Sequence, residues 1–371
     1  MEHGISYVGL DVHKDSIFVS VLNWDGDPVE WKQANDSRAP QRLATRLRKV
    51  CSGTILSCYE AGPCGYVLQR ELHKRGVTCQ VIAPSLIPVR PGERVKTDRR
   101  DARKLARELR SSGLTEVHPP TPAEEAVRDL SRCREDAKAD LKRAKQRLGK
   151  FLLRRGLKYT GGSAWTVKHW TWLRALQFEH AAGQTTFDEY LLTVQHRQER
   201  AGEVTKELEA IARSEPYREA VGWLCCFRGI DTVTAISLVA EIHDFRRFPT
   251  ARHLMSYLGL TPSEYSSGGK ERRGGITKAG NSHVRRLLIE AAWHSRHKPY
   301  VGATLRRRRR GQPKEIIAIA DKAQRRLYKR YWKLVLAGNK PKCKAVTAVA
   351  RELVGFIWGV LAHAEVNHAK A

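Results

Sequence analysis

Zinc-binding and disulfide patterns are missing from this sequence. Its cysteines form no Cys-x-x-Cys pair, and no histidine lies at a spacing from them that suits a zinc site. This argues against a zinc-stabilised or disulfide-stapled scaffold, and we expect buried thiols in a reducing compartment. The eight cysteines are Cys51, Cys58, Cys64, Cys79, Cys133, Cys225, Cys226 and Cys343.

The sequence also lacks a long hydrophobic run. Its most apolar tail segment, Leu353 to Ala364, is too short to cross a bilayer. The first residues, Met1 to Gly4, are not a basic region followed by an apolar core, so we expect no signal peptide. We therefore expect no membrane partner, and a soluble cytoplasmic protein associated with the nucleoid.

Acidic residues are scarce relative to basic ones. The 371 residues include 67 Lys+Arg and 39 Asp+Glu, which gives a formal net charge of +28. An excess of this size repels itself in a compact fold unless a polyanion neutralises it, so nucleic acid is the natural partner. Because the positive charge is spread over most of the chain, long phosphate tracts fit better than one small anion.

Two of the acids that are present come at the ends of predicted strands. Asp11 and Glu60 each close an apolar, β-type run. Open α/β sheets build their sites at the carboxyl ends of strands, so both residues are predicted at one rim of a sheet. The segments Ser16–Leu22 and Val29 onward predict further strands, so the region begins with a β-meander.

Two more acids follow a further strand and a proline-rich loop. Asp98 and Asp101 are three residues apart, so on a helix both project from one face. Gathered carboxylates repel one another, and Mg²⁺ is the usual means of offsetting this because it takes oxygen ligands. Two such ions can serve an in-line phosphoryl displacement. The four acids together predict a magnesium site of a nuclease or recombinase.

Each acid also has an ordinary interpretation. Asp98 would cap its helix, Asp101 would pair with Arg99 or Arg103 on the surface, and Asp11 would simply end a strand. The occurrence of all four acids in this order is what favours catalysis.

The middle of the chain predicts two long helices separated by a Gly- and Trp-containing insertion at 156–186. Apolar or small residues recur there at alternating three- and four-residue spacings, which is typical of a coiled-coil seam. The helices would form an antiparallel hairpin, pair between subunits, or act as a spacer within a monomer. The seam residues are Leu130, Cys133, Ala137, Leu141, Ala144, Leu148 and Phe151, followed by Phe187, Leu191, Val194, Ala201, Val204, Leu208 and Ile211.

A second globular region opens near Phe227. Its Gly-containing turn leads into an apolar helix from Ala235 to Ile242, which is similar to a helix-hairpin-helix element. The backbone amides at such a helix start can hold a phosphate. Thr250 and Gly259 are predicted to start and stop another helix.

Residues 261–281 form a stretch rich in glycine, serine and cations. Glycines let the backbone approach a ligand closely, and cationic neighbours stabilise the charge that develops when a serine attacks a phosphodiester. The ordinary alternative is that Ser266 and Ser267 only satisfy turn hydrogen bonds. The side chains predicted to contact phosphates are Lys270, Arg272, Arg273, Lys278, Arg285, Arg286, Arg306, Arg307, Arg308, Arg309 and Arg310.

With these regions in hand, the sequence resembles the DEDD-type insertion-sequence transposases, relatives of the pilin gene invertase with a RuvC-like catalytic domain. Some members of that family are bridge-RNA-guided recombinases. The similarity spans most of residues 5 to 295. It rests on Gly9-Leu10-Asp11-Val12-His13-Lys14, Tyr59-Glu60-Ala61, Lys96-Thr97-Asp98-Arg99-Arg100-Asp101-Ala102, Gly229-Ile230 to Glu241, Ser266-Ser267-Gly268-Gly269 and Lys278-Ala279-Gly280-Asn281.

The resemblance implies a mobile-element transposase that cleaves and exchanges DNA strands. Asp11, Glu60, Asp98 and Asp101 would bind Mg²⁺, and Ser267, with Ser266 as its rival, would become covalently joined to DNA. The acids and the serine would lie on different domains and in the assembled complex even on different subunits. The implied partners are donor and target DNA, a noncoding guide RNA from the element, and further copies of the chain in a dimer or tetramer.

The fold class that follows is α/β plus α. It comprises a ribonuclease-H-like (RuvC-like) catalytic domain at 1–118, a coiled-coil helical linker or dimerisation region with its insertion at 119–218, and a mostly helical carboxyl-terminal transposase domain with the serine loop and basic tail at 219–371. Two other functions remain open: a RuvC-like junction-resolving nuclease that uses metal-activated water, and a non-enzymatic nucleic-acid-binding scaffold.

The insertion at 156–186 and the tail beyond about Tyr300 depart from the minimal form of the family. The tail contains a basic and aromatic stretch from Arg325 to Lys333, which suits RNA or single strands through phosphate contacts and stacking. A solvated helix face is the alternative.

Overall fold

The computed structural model describes residues 4–24, 27–88, 97–266 and 272–362. The chain divides into two compact units, Met1–Pro120 and Thr121–Ala371. The first unit is a mixed α/β sheet domain, and the second is helical apart from one short two-stranded sheet. The α/β plus α class is thereby confirmed, while the predicted three-part division of the chain stays a prediction.

The first unit is built on a six-stranded sheet with the order β3-β2-β1-β4-β5-β6. Strands β1, β2 and β3 form an antiparallel meander, β4 and β5 add parallel to β1, and β6 closes the edge antiparallel. Its elements are β1 (Ile5–Val12), β2 (Ser16–Leu22), β3 (Val29–Ala34), α1 (Ala39–Val50), β4 (Thr54–Glu60), α2 (Val67–Lys74), β5 (Thr78–Ile82), α3 (Asp98–Arg110) and β6 (Glu116–Val117).

The two central parallel strands bring the first two predicted site residues to one rim. Leu10 of β1 pairs with Tyr59 of β4, so Asp11 and Glu60 are the next residues of two adjacent strands running the same way. Alternation along β1 directs Val8 and Leu10 into the core, both with no exposed surface. The predicted meander and the placement of both acids at strand ends are confirmed.

Helix α3 packs directly on β1 because Gly9 has no side chain. A β-carbon at Gly9 would lie 2.0 Å from the carbonyl oxygen of Ala102 and 2.6 Å from the amide nitrogen of Ala106. Both atoms belong to the α3 backbone, which cannot give way as a flexible side chain can. Gly9 therefore fixes the depth at which α3, and the acids of its first turn, lie against the sheet.

We expect Gly9→Ala to destabilise the first unit by about 1–3 kcal/mol, since the added methyl overpacks a backbone-to-backbone contact. Urea denaturation followed by circular dichroism measures this. Gly149→Ala is the matched control, because Gly149 lies inside a long helix with nothing within 4 Å of its added β-carbon. That control is expected to raise stability by about 0.5–1 kcal/mol. Equal effects of the two substitutions would refute the close-packing argument.

The second unit begins with a long helix whose start is well specified. Thr121 and Glu124 form a reciprocal capping box. The elements of this unit are α4 (Pro122–Leu153), α5 (Val167–Arg174), α6 (Ala181–Ile211), α7 (Arg218–Leu224), α8 (Thr232–Ile242), α9 (Ala251–Tyr257), β7 (Pro262–Glu264), β8 (Arg273–Ile276), α10 (Ser282–Ala292), α11 (Ala303–Arg309), α12 (Lys314–Trp332) and α13 (Lys342–Leu361).

Helices α4 and α6 pack as an antiparallel hairpin within one chain. At one end of the hairpin the rings of Phe151 and Phe187 stack 6.4 Å apart. Towards the other end Arg134 Nε donates to Thr205 Oγ1 at 3.2 Å. The apolar seam is therefore covered within the chain, as in the predicted antiparallel hairpin, while pairing between subunits stays a prediction.

The beginning of the predicted seam needs correction. Cys133 is exposed, and Leu130 packs against the carboxyl-terminal core, which includes Leu208 from the end of α6. The reason is that this part of α4 turns its buried face to α8, where Ser131 Oγ donates to Ser237 Oγ at 2.8 Å. The expectation of eight buried thiols is also wrong at Cys343, which is exposed.

The carboxyl-terminal core surrounds α8, whose apolar sequence is buried almost throughout. A turn with Gly229 at φ +91° lies between α7 and α8, and the assignment of these helices as a helix-hairpin-helix element stays a prediction. Asp231 caps α8, and its side chain accepts from the Thr234 amide at 2.8 Å. The predicted helix-hairpin-helix phosphate site stays a prediction, with one of its amides already bonded to a carboxylate. Within the described ranges, no helix combines the length and apolarity needed to span a bilayer.

Candidate active site

Three side chains at the rim of the first unit converge closely enough to share one ion. Ligand atoms of Asp11, His13 and Asp98 all lie within 4.8 Å of one another. His13 Nε2 lies 3.1 Å from Asp11 Oδ2 and 3.6 Å from Asp98 Oδ1. Asp98 Oδ2 is also 3.6 Å from Lys32 Nζ on β3. The structure thus joins the end of β1 to the first turn of α3, as the sequence predicted for Asp11 and Asp98.

The surroundings of Asp11 make its charged form costly. Burial is the largest cause that raises the pKa of Asp11 above its ordinary value of 3.8, and the charges of Asp98 and Asp101 act in the same direction. The neighbouring His13 opposes them through its charge and its hydrogen bond. A bound cation would offset this cost, since an opposite charge within a few ångströms favours the carboxylate.

The other two predicted acids lie near this cluster without joining it. Asp101 is one helical turn after Asp98 and close enough to influence the pKa of Asp11. Glu60 is exposed at the end of β4, on the strand beside Asp11. Among the described residues, the only group of side chains with metal-ligand spacing is the one formed by Asp11, His13 and Asp98.

The ordinary interpretations of the acids on α3 are corrected by the neighbouring contacts. Thr97, not Asp98, caps the helix, and its side chain accepts from the Arg100 amide. Arg99 and Arg103 both bind Glu30 of β3, with Arg99 Nε at 2.6 Å and Arg103 Nη2 at 2.9 Å from its carboxylate. Sequence reasoning missed Glu30 because only the tertiary fold brings β3 beside α3.

The donor set fits a hard divalent cation. Carboxylate oxygens suit Mg²⁺ and Mn²⁺, whereas an imidazole nitrogen is a softer ligand, so Asp11 and Asp98 are the better donors of the cluster. His13, at its present distance from both carboxylates, is placed to donate a hydrogen bond to one of them. Sequence reasoning gave His13 no role, and its position two residues after Asp11 was the available signal.

The predicted serine loop joins the two strands of the short sheet, β7 and β8. Ser266 is exposed, and its Oγ donates to Glu264 Oε1 at 2.9 Å. Ser267 and Lys270 lie outside the described residues, as does the side chain of Arg273. Arg272 is exposed next to them. The structure therefore shows where the loop begins and ends but leaves the choice between Ser266 and Ser267 open.

Two of the predicted phosphate-binding cations at the end of this loop are held by the protein itself. Arg285 Nη1 donates to the carbonyl oxygens of Leu258 and Ala279 at 2.8 and 2.9 Å. Arg286 is ion-paired with Glu290 at 2.9 Å and with Glu135. These bonds attach α10 to its neighbours, so Arg285 has a structural role.

The basic run in α11 divides into exposed and internal members. Arg309 is only 7% exposed; its Nη1 contacts Asp321 at 2.8 Å and its Nε donates to the Cys226 carbonyl. Arg308 donates to the carbonyl oxygen of Ile230. The exposed members are Arg306, Arg307 and Arg310. We therefore leave Arg285 and Arg309 out of any proposed nucleic-acid surface, because their guanidinium groups already bond to backbone carbonyl oxygens and, for Arg309, to Asp321.

The basic and aromatic tail stretch is an amphipathic helix. Leu327 and Tyr331 face the core, and Tyr331 is 1% exposed, so its ring does not offer a stacking surface. Arg326 and Arg330 share the carboxylate of Glu352, each at 3.0 Å. A helix with one face packed on the core and the other in solvent therefore accounts for most of the alternation of basic and aromatic residues.

A buried carboxylate forms a polar junction that sequence reasoning did not assign. Glu241 receives two hydrogen bonds from Arg132, at 2.7 and 2.9 Å, and one from Asn281 Nδ2 at 2.7 Å. Its side chain is 1% exposed. The junction ties α8 to α4 and to the start of α10, which follows the serine loop. A single acid in an otherwise apolar helix was the signal for it.

Comparison with known proteins agrees with this arrangement. A transposase family model, DEDD_Tnp_IS110, matches residues 8–155, and the model described as Transposase IS116/IS110/IS902 family matches residues 223–306. A putative transposase, y4qE, of Sinorhizobium fredii is 39% identical over 96% of this chain and 88% of its own length. The transposase for insertion sequence element IS1533 of Leptospira borgpetersenii is 37% identical over 88% of this chain and 95% of its own.

A rim of acids on a mixed sheet, joined in one chain to a helical region with a serine loop, defines a DEDD-type transposase. The extent of identity to the two relatives makes the assignment more specific. The chain belongs to the IS110/IS116 family of insertion-sequence transposases. Membership implies that its substrate is DNA and that its activity is DNA cleavage and strand transfer.

Proposed function

We propose that this transposase cleaves and exchanges DNA strands with Mg²⁺ and a serine nucleophile. The observation that carries the proposal is the convergence of Asp11 and Asp98 at one rim of the sheet, with burial and like charge raising the pKa of Asp11. The like charges of Asp98 and Asp101 oppose ionisation of Asp11, and a bound cation would offset that cost. The proposal keeps the predicted RuvC-like fold for the first unit, which the mixed sheet supports.

Asp11 and Asp98 would hold the metal, with Asp101 and Glu60 completing its surroundings. When bound there, Mg²⁺ supplies positive charge against phosphate oxygens and orients the scissile group. The protein's own contribution is to position the carboxylates. Glu30 fixes the first turns of α3 through Arg99 and Arg103, and Gly9 allows α3 to lie close to β1.

Ser267 is the proposed nucleophile, and Ser266 is its rival. In the cleavage step the serine Oγ bonds to phosphorus, the leaving DNA oxygen departs with the bonding electron pair, and the serine proton is lost to a base. Arg272 and Lys278 lie beside the loop and carry the charge to attract the DNA backbone. Ser266 differs in having Glu264 as a hydrogen-bonded partner.

The proposal also includes the predicted assembly. The acids and the serine come from different units of the chain, and a dimer or tetramer would bring them to one phosphodiester. A noncoding guide RNA would pair with donor and target DNA, and the protein would act on the nucleoid. The net charge of +28 supports polyanionic partners of this size.

Covalent trapping tests the chemistry. The protein is incubated with Mg²⁺, the noncoding RNA of the element and end-labelled DNA, and adducts are resolved by denaturing electrophoresis and mapped by peptide mass spectrometry. We expect an adduct on Ser267 that Ser267→Ala removes and Ser266→Ala retains. An adduct that survives in Ser267→Ala and disappears in Ser266→Ala would move the nucleophile to Ser266.

The same experiment addresses the two other candidate functions. A junction-resolving nuclease would cleave without any adduct and would keep its activity when both serines are alanine. A non-enzymatic scaffold would bind DNA and give neither cleavage nor adduct. Either result contradicts the serine mechanism.

A further inference from the structure

The insertion at the tip of the α4–α6 hairpin forms a groove that the proposed chemistry does not use. It encloses roughly 360 Å³ and is open to solvent. One wall is the outer face of α4 and the other is Trp165 of the insertion. The lining residues are Lys138, Leu141, Lys142, Lys145, Gln146 and Trp165.

The aromatic wall is held in a fixed orientation. Trp165 adopts a left-handed backbone conformation, with φ +66°, which a non-glycine residue adopts only when its surroundings stabilise it. Its backbone amide donates to His169 Nδ1 at 3.0 Å, and its ring meets the rings of His169 and Trp170 edge-on at 5.1 and 5.7 Å. Trp165, held in this way, is one of the residues that line the groove.

The Trp165 ring is covered by a cation. Lys145 Nζ lies 4.5 Å from the centre of the Trp165 ring. Burial, followed by the charge of Lys138, lowers the pKa of Lys145 below its ordinary value of 10.5. Burial thus disfavours the charged form of Lys145 at this position, and a neutral planar group against the ring would not carry that cost.

The charge of the groove has no internal counterpart. None of its lining residues is acidic, and within the described residues no ion pair engages Lys138, Lys142 or Lys145. The nearby Asp140 is already shared by Arg143 and Arg197. The rest of the insertion adds to the excess, since residues 154–186 contain five Lys or Arg and one Glu.

We propose that this groove, which we name the Trp165 groove, binds an unpaired segment of polynucleotide, with one base stacked on Trp165 and the adjoining phosphates held by Lys138, Lys142 and Lys145. Stacking on a rigid aromatic ring between cations is how single strands are bound without sequence preference. The inference rests on the proposed function, because guide RNA and melted DNA are the unpaired strands such an enzyme would meet.

The groove favours a single strand over the other macromolecules. A base in a duplex is already stacked on both faces, so Trp165 would gain nothing from it. A protein partner would have to supply an aromatic or apolar group flanked by acids. Single strands supply a planar group and a phosphate in every nucleotide.

The test uses the full-length protein and fluorescein-labelled ten-nucleotide strands of one sequence, as RNA, as DNA and as the DNA duplex. Affinity is measured by fluorescence anisotropy over a series of salt concentrations. We expect Trp165→Leu to weaken binding of the unpaired strands by roughly 5- to 150-fold and to leave duplex binding unchanged. Circular dichroism and thermal unfolding establish that the hairpin of the variant is folded.

The lysines provide a second variant, in which Lys138 and Lys142 are exposed and Lys145 is half-buried. Lys138→Gln, Lys142→Gln and Lys145→Gln together are expected to reduce the salt slope for single strands by about 2. The matched control is Lys150→Gln, Lys168→Gln and Lys206→Gln, which removes the same charge from other parts of the hairpin. We expect its slope to change by less than half as much.

Ultraviolet crosslinking with 5-bromouridine or 5-bromodeoxyuridine in the strand identifies the contact and its source. A crosslink to Trp165 supports the groove, and preferential crosslinking of RNA or of DNA then distinguishes a guide strand from a melted target. Equal affinities for wild type, Trp165→Leu and both triple variants would overturn the proposal. So would a change in oligomeric mass of Trp165→Leu without a change in strand binding, because the groove would then be a protein interface.

This result is separable from the proposed chemistry. Asp11→Asn leaves the groove intact, so it should bind single strands as the wild type does even when cleavage is lost. If the groove variants bound single strands as the wild type does while cleavage and adduct formation were observed, only the proposal for the Trp165 groove would be refuted.

Discussion

Asp11→Asn is expected to lower the rate of DNA strand cleavage by at least about 10³-fold, since loss of a metal ligand removes several kcal/mol of transition-state stabilisation. Cleavage of end-labelled DNA in Mg²⁺ measures the rate, and titration calorimetry measures the weaker binding of Mg²⁺ itself. Asparagine keeps the shape of the side chain and loses only its charge. The effect therefore reports the carboxylate.

The stability of this variant should not fall. The folded-state pKa of Asp11 is raised above 3.8, chiefly by burial. Its ionisation therefore lowers the stability of the fold at neutral pH, and this loss is absent at a pH well below 3.8, where the carboxyl group is protonated. Replacing it by a neutral amide removes that cost, so thermal unfolding at pH 7 should occur at the same temperature or higher. Loss of the charge at position 11 also removes its repulsion by Asp98 and Asp101, which again favours the folded state.

Asp15→Asn is the matched control for Asp11→Asn. Asp15 lies four residues later in the turn after β1, is exposed, and belongs to no cluster with metal-ligand spacing among the described residues. It should leave cleavage and Mg²⁺ binding unchanged. If Asp11→Asn cleaved DNA at the wild-type rate while folded, the acid site would not be the catalytic centre.

The second large effect concerns stability. Arg132→Ala is expected to destabilise the second unit by about 3 kcal/mol at neutral pH, because it leaves the buried Glu241 carboxylate without its principal partner. Urea denaturation measures the free energy of unfolding. Arg132→Ala combined with Glu241→Gln should cost less than Arg132→Ala alone, since the neutral amide does not leave a buried charge unpaired.

The pH dependence of this effect has a definite sign. Burial alone would raise the pKa of Glu241, but Arg132 and then Asn281 hold it below its ordinary value of 4.5. The stabilisation is therefore complete above that pH and is lost as the pH falls through the folded-state pKa. The difference between wild type and Arg132→Ala should be largest near pH 7 and should narrow below pH 4.5.

Arg143→Ala provides the control on the same helix. Arg143 is 63% exposed in its pair with Asp140, so its loss should cost about 0–1 kcal/mol at any pH. Equal losses for Arg132→Ala and Arg143→Ala would show that the Glu241 junction is not the structural tie described above.

Local sequence patterns were enough to predict the parts of the fold that depend on residues close together in the chain. The strands ending at Asp11 and Glu60 were predictable because apolar runs end in polar residues at a sheet rim. The long helices were predictable because their apolar residues recur at helical spacing over many turns. Thr250 and Gly259 correctly marked the ends of a short helix, because the residues that begin and end a helix are also recognisable from local sequence.

The errors came from residues whose partners are distant in sequence. Arg309 reads as one of five surface arginines, yet Asp321 and the carbonyl of Cys226 draw it into the interior. Tyr331 reads as a stacking aromatic, yet it lies on the core face of α12. Cys133 has seam spacing but lies where α4 has turned its buried face from α6 to α8. A charge run or a repeat does not specify which face of a helix another element will cover.

The sequence by itself placed acids at the rim of a sheet and showed an excess of positive charge that calls for nucleic acid, and its motifs resembled those of transposases. Strand ends and net charge are local or additive properties, so they can be read without knowledge of contacts. The tertiary structure alone decided that His13 stands between two of the acids, that Glu30 holds the helix bearing Asp98, and that Trp165 closes a lysine-lined groove. Each depends on segments brought together by folding, and a linear pattern carries no distance between them.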